Sequence, residues 1–158
     1  MKISKEVFNG ATIFVGIAVY FLLMNALGYA DVFYLRLLNI VFVYYGVNKT
    51  IQMNIAEGKK TFVTNAVSAM TTSLVGVVLS VAGLIVYSYM KGGDDYVQSL
   101  SETFLFGGNP SIEIYCISLL FEGIASSVIV TLFAMLYWNN RFPAQASVVV
   151  GVGGVPLH

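Results

Sequence analysis

The chain has 158 residues, of which 58% are apolar and only 10% are charged, and eight basic residues balance eight acidic ones. Soluble domains contain about 45–50% apolar and about 25% charged residues, and a domain of this length buries only about 70% of its unfolded surface. The composition therefore excludes a soluble globular domain, a disordered chain and a disulfide-stabilised secreted module, and it indicates an integral membrane protein without a basic surface for nucleic acid.

Four apolar stretches are long enough to form helices that cross a hydrocarbon core of about 30 Å, which takes about 20 residues. The first is expected over residues 8–28, where its length favours a retained span over a cleaved signal peptide. The others are expected over residues 32–50, 64–90 and 112–138. The short connections leave room for one domain, residues 1–141, which we predict to be an all-α, four-helix transmembrane bundle.

Lysine and arginine are concentrated at one end of this predicted bundle, whereas the other end is rich in aspartate. Short loops with an excess of lysine and arginine stay on the cytoplasmic side of a membrane. Both termini are therefore predicted to be cytoplasmic. The basic residues on that side are Lys2, Lys5, Lys49, Lys59, Lys60 and Arg141.

The loop between the third and fourth spans contains a predicted amphipathic helix. Gly92 and Gly93 end the third span, and Tyr96, Leu100 and Phe104 then recur at four-residue spacing. An apolar side of this kind favours a helix that lies on the membrane surface. The alternative is a loop that packs over the bundle, and we expect the interfacial helix.

The fourth span carries a carboxylate, Glu122, about ten residues from its outer end. An ionised carboxylate inside a membrane needs a partner, a proton or water. Arg36 enters from the same side, so the two Cα atoms differ in depth by about 9 Å at 1.5 Å per residue. We predict an intramembrane Arg36–Glu122 pair with Asn39 nearby. The pair can fix the register of the helices, contact a partner protein or form the proton or cation site of a transporter.

Small residues recur along one face of the third span at steps of three and four. Such a face lets another helix approach closely. That helix can belong to the same chain, which is the simpler interpretation, or to a partner protein. The residues of the face are Ala69, Ser73, Gly76, Ser80 and Gly83.

Residues for catalysis or metal binding are scarce. The single cysteine, Cys116, cannot form an internal disulfide, and the single histidine, His158, is the last residue. Neither a Cys/His metal site nor a nucleophile paired with a base is expected. We therefore predict a protein without a cofactor and without enzymatic activity. The tail, residues 142–158, is apolar, and we expect it to contact the bundle or another subunit.

Two stretches carry a resemblance to a known family. Residues 45–49 (Tyr-Gly-Val-Asn-Lys) with residues 57–62 (Glu-Gly-Lys-Lys-Thr-Phe), and residues 123–129 (Gly-Ile-Ala-Ser-Ser-Val-Ile), resemble an uncharacterised family of small bacterial membrane proteins, a domain of unknown function of the DUF4199 type. Residues 139–141 (Asn-Asn-Arg) stand where that family has several lysines. The resemblance covers residues 8–141 and implies four spans and a bacterial envelope. Because the function of that family is unknown, the resemblance transfers no active site.

Small loops, small-residue helix faces and an apolar tail together favour an accessory or structural subunit of a larger membrane protein complex. Its partners would be the lipid bilayer and other integral membrane subunits, contacted in part through the tail. The alternative is a small transporter or channel that uses Glu122 as a proton or cation site. An enzyme acting on lipids is disfavoured, because the spans contain no histidine and no paired acids.

Overall fold

The computed structural model describes residues 4–30, 32–101 and 110–139, and every regular element in these ranges is an α-helix. Three of these helices, α1, α4 and α6, are long and apolar enough to cross a membrane, which makes the chain an integral membrane protein. The tail 142–158 and Phe104 lie outside the described residues. The helices are α1 (Lys5–Ala26), α2 (Phe33–Leu37), α3 (Asn39–Ala56), α4 (Phe62–Lys91), α5 (Asp94–Ser101) and α6 (Ile112–Asn139).

The second predicted span differs from the helices observed there. Residues 32–50 do not form one regular α-helix. At Leu38, which keeps right-handed helical dihedral angles, the backbone hydrogen bonds tighten to a three-residue spacing between α2 and α3, and α3 continues to Ala56. α3 is also less apolar than α1, α4 and α6, and it is not one of the three helices that qualify as candidate spans. Its polar residues include Asn39, Asn48, Lys49, Gln52 and Asn54.

α1 and α4 run in the same direction. Near the start of both helices, the Ser68 hydroxyl lies 3.1 Å from a carboxylate oxygen of Glu6, which accepts its hydrogen bond. Near the end of both helices, the Asn25 amide donates to the Tyr87 hydroxyl at 3.2 Å. The two helices therefore lie side by side and parallel.

α3 runs antiparallel to α1. The Lys5 ammonium at the start of α1 pairs with Glu57, which follows the last residue of α3. Towards the other end, the Tyr20 hydroxyl donates to the Leu35 carbonyl, just before α3 begins, at 2.9 Å. Because α3 contacts both α1 and α4, it lies beside this parallel pair and points the opposite way.

α6 runs antiparallel to α4 and parallel to α3. A Cβ atom placed on Gly123 would meet Val77 near the middle of α4, and Thr131 lies further along α6 beside Met70, which is closer to the start of α4. The four long helices form one bundle with two packed apolar clusters. The Ile13 cluster contains Ile13, Val43, Val47, Ile51, Ala69, Val130, Ala134, Met135 and Trp138, and the Val97 cluster contains Val97, Leu100, Ile112, Tyr115 and Cys116.

The small-residue face of α4 packs mainly against α1 of the same chain. Gly76 lies against Ile13, because a Cβ atom on Gly76 would be 2.8 Å from Cγ2 of Ile13. Gly83 lies against Phe14 in the same way, and Ala69 and Ser73 are fully buried. The internal-packing interpretation of this face therefore describes the structure, and the face is not left free for a partner helix.

α5 packs against the bundle through two apolar side chains. Val97 and Leu100 are buried against residues of α6, so this side of the helix is not available to lipid. Tyr96 is half-buried and hydrogen-bonds to α1. Leu100 therefore packs on protein, and the position of this helix at the membrane surface stays a prediction. The sequence pattern identifies the helix but not the surface that covers it.

Candidate functional site

A cavity of about 280 Å³ lies between α1, α3, α4 and α6. It lies between the two apolar clusters, because Val43 of the Ile13 cluster and Tyr115 of the Val97 cluster both contribute to its walls. Most of its wall is aliphatic or aromatic. The cavity also brings together the three polar residues singled out in the sequence, Arg36, Asn39 and Glu122.

The ion pair at this cavity is loose. One guanidinium nitrogen of Arg36, Nη2, lies 3.4 Å from Oε2 of Glu122, and this is a single contact rather than a two-pronged one. The Arg36 side chain is 15% exposed, whereas the Glu122 side chain is 40% exposed. Within the described part of the chain, Oε1 of Glu122 has no hydrogen-bond partner. The carboxylate therefore keeps free acceptor capacity.

Arg36 lies close to the irregular turn at Leu38 in the second predicted span. Leu38 ends α2 and precedes α3, so Arg36 lies in the last turn of the short helix rather than within a continuous span. From there its guanidinium carbon lies 5.7 Å from the ring centroid of Tyr115 on α6. Stacking on an aromatic face stabilises a guanidinium that is removed from water. Arg36 is thus held by both Tyr115 and Glu122.

Asn39 contributes an unsatisfied acceptor to the same site. Its side-chain oxygen Oδ1 is buried and has no hydrogen-bond partner among the described residues. A buried polar atom without a partner costs about 1–3 kcal/mol. The atom is buried, so Asn39 lines the cavity without presenting this oxygen to it.

A chain of hydrogen-bonded side chains from three helices lies beside the cavity. The Tyr96 hydroxyl of α5 donates to Oδ1 of Asn25 at 3.0 Å, and the Asn25 amide donates to the hydroxyl of Tyr87, which lines the cavity. Burial raises the pKa of Tyr96 to about 12, so this donor stays protonated at neutral pH. α5 is therefore tied to α1 and α4 beside the cavity.

The opposite end of the bundle contains a buried polar layer. The Asn9 amide donates to the Thr50 hydroxyl at 2.9 Å, and this hydroxyl lies 2.9 Å from the Thr72 hydroxyl. At the end surface, hydrogen bonds from Lys5 and Lys59 lower the pKa of the Glu57 carboxyl. The sequence does not show that Asn9, Thr50 and Thr72 meet, because they lie on three separate helices and share no common spacing.

Beyond the cavity, the described residues offer no group of three His, Cys, Asp or Glu side chains that could hold a metal ion. The chemistry available at the cavity is therefore charge pairing and hydrogen bonding by Arg36, Glu122 and Asn39. The aromatic walls add an attractive surface for cations.

Comparison of the chain with family models, with curated proteins and with solved structures finds no match. The resemblance to a four-span bacterial family therefore stays an expectation from the sequence, and the function has to be argued from the cavity itself.

Proposed function

We propose that the chain is a small membrane transporter or channel that binds a proton or a cation at Glu122. The observation that carries this proposal is a carboxylate with a free oxygen, facing a cavity inside a membrane protein. Acidic residues in membrane spans commonly mark ion pathways and proton relays. Glu122 would be the binding group, and Arg36 would hold its side chain in place and lower the cost of its charge.

The proposal includes four membrane spans, with α3 as the second of them. Because α1 and α4 are parallel, the chain between them has to return to its starting side, and α3 is the helix that runs back. Its 18 residues extend about 27 Å at 1.5 Å per residue, close to the roughly 30 Å hydrocarbon core. With lysine-rich ends inside, this topology would place both termini in the cytoplasm, and we propose a bacterial inner membrane.

The loose geometry of the ion pair argues for a binding role over a purely structural one. A pair that fixes helix register would be expected to be close and fully buried, as in pairs whose disruption costs about 3–5 kcal/mol. Here the contact is long and the carboxylate is partly exposed. Ile13 and Val47 of the Ile13 cluster lie between the cavity and the Asn9 layer, so passage across the membrane would require these side chains to move.

Reconstitution into liposomes tests the proposal. A pH-sensitive dye inside the vesicles would report proton entry under an imposed gradient, and sodium and potassium flux would be measured in parallel. Glu122→Gln preserves the shape of the side chain and should abolish flux. Glu113→Gln is the matched control, because Glu113 is an exposed glutamate in the first turn of the same helix.

Flux that is identical in the wild type, Glu122→Gln and Glu113→Gln would contradict the proposal, as would a folded protein that conducts no ion. The accessory-subunit role then becomes the leading hypothesis. The features that still support this role are the small loops and the apolar tail of the sequence. The small-residue face of α4 no longer supports it, because α1 covers that face. Co-purification of the chain with other membrane subunits at fixed stoichiometry would support it.

A further inference from the structure

We infer that the cavity accepts a lipophilic organic cation of about eleven non-hydrogen atoms, with its charged group at Glu122 and its apolar body against the aromatic walls. This inference deepens the proposed function and depends on it. It specifies a substrate class that an intramembrane carboxylate alone does not define.

The sign of the charge follows from the exposure of the two ionic side chains. Both side chains line the cavity, and Glu122 is 40% exposed whereas Arg36 is only 15% exposed, so the carboxylate is the more accessible of the two charged groups. A cation in contact with Oε1 of Glu122 would be separated from the guanidinium by the carboxylate itself. Attraction at contact therefore exceeds repulsion from the more distant Arg36, whose charge is also stabilised by Tyr115.

The walls favour the same class of ligand. Phe14, Phe21 and Tyr87 line the cavity, and aromatic faces attract ammonium groups that have left water. An anion would be repelled by the Glu122 carboxylate, and a neutral hydrocarbon would gain no attraction from its charge.

The volume sets the size of the ligand. An apolar cavity of about 150 Å³ binds benzene, which has six non-hydrogen atoms, so a cavity of about 280 Å³ has room for about eleven. Larger cations would need the helices to separate. The cavity is therefore matched to a single substituted ring or a short branched chain rather than to a whole lipid.

Three probes of this size, each with about eleven non-hydrogen atoms, separate charge from shape. They are the cation benzyltrimethylammonium, its uncharged carbon analogue neopentylbenzene, and the anion 3-phenylpropanoate. Binding to the purified full-length protein in mild detergent would be measured by equilibrium dialysis. We expect the cation to bind at least about tenfold more tightly than either comparison compound, with that preference lost in Glu122→Gln and kept in Glu113→Gln.

Ser80→Leu gives a test that does not depend on the stability of Glu122→Gln. Ser80 lines the cavity and donates its hydroxyl hydrogen to the Gly76 carbonyl of its own helix, so a leucine there would fill the cavity and leave the ion pair in place. Cation binding should disappear in this variant while the melting temperature is maintained. Unchanged binding in Ser80→Leu would overturn the inference.

Other outcomes separate this inference from the proposed function. Equal binding of the cation and neopentylbenzene, or tighter binding of the anion, would overturn the ligand class while leaving the cavity as a binding site. If none of the three probes binds but Glu122→Gln still abolishes ion flux, the ligand class is wrong and the proposed function stands. If neither binding nor flux is observed, both fail.

Discussion

The tight packing around Ile13 can be tested at Gly46 and Gly76, which contact this side chain from α3 and α4. A Cβ atom on Gly46 would lie 2.4 Å from Cγ1 of Ile13, about 1 Å short of ordinary contact, and one on Gly76 would lie 2.8 Å from Cγ2. Overpacking of this kind costs about 1–3 kcal/mol. Alanine also gains about 0.5–1 kcal/mol over glycine in a helix interior. We therefore expect Gly46→Ala to lower the free energy of unfolding by up to about 2.5 kcal/mol, and Gly76→Ala by less.

A double-mutant cycle with Ile13 tests the cause. Ile13→Ala removes the atoms that the new methyl group would meet, so Gly46→Ala should be neutral or stabilising in that background, although Ile13→Ala itself costs about 2–5 kcal/mol. SDS titration in mixed micelles would measure unfolding. Ala82→Val, an addition at an exposed position of α4, should change stability by less than about 0.5 kcal/mol. If Gly46→Ala is equally destabilising with and without the Ile13 side chain, the packing argument is refuted.

Two further predictions concern the end of the bundle opposite the cavity. Trp138→Phe removes the indole N–H that donates to Oδ1 of Asn48 at 2.7 Å, so it should lower the free energy of unfolding by about 1–3 kcal/mol in the same SDS titration. Because contacts with Lys5 and Lys59 lower the pKa of Glu57, its stabilising effect should be present above its ordinary pKa of 4.5 and be lost as the pH falls through its lowered value. The melting temperature of Glu57→Gln should therefore fall less on acidification than that of the wild type, and parallel curves would contradict this.

Two quantities read from the sequence gave most of its structural predictions: the length of each apolar run, and the depth of a residue along its helix. The ends of α1, α4 and α6 lie within three residues of the predicted spans, because an apolar run of this length has few alternatives to a helix. The depths of Arg36 and Glu122 were estimated from residue counts along two helices, and the structure brings these side chains to 3.4 Å. A rise of 1.5 Å per residue suffices for such an estimate.

Neither the irregular turn at Leu38 nor the cavity could be predicted from the sequence pattern. No proline or glycine marks residues 32–50 before Gly46, so the sequence pattern gave no reason to end a helix at Leu38. The cavity depends on how four helices diverge, which is a tertiary property. Similarly, four-residue spacing defined the apolar side of α5 but could not distinguish lipid from protein as the surface that covers it.

The central claim is that the Glu122 carboxylate is reachable within the cavity, and chemical modification tests it most directly. Dicyclohexylcarbodiimide, an apolar reagent that reacts with protonated carboxyl groups inside membranes, would be applied to the reconstituted protein, followed by peptide mass spectrometry. We expect modification at Glu122, slowed by benzyltrimethylammonium and by the cavity-filling Ser80→Leu substitution. A Glu122 that stays unmodified, or that reacts equally fast in all three conditions, would contradict the account.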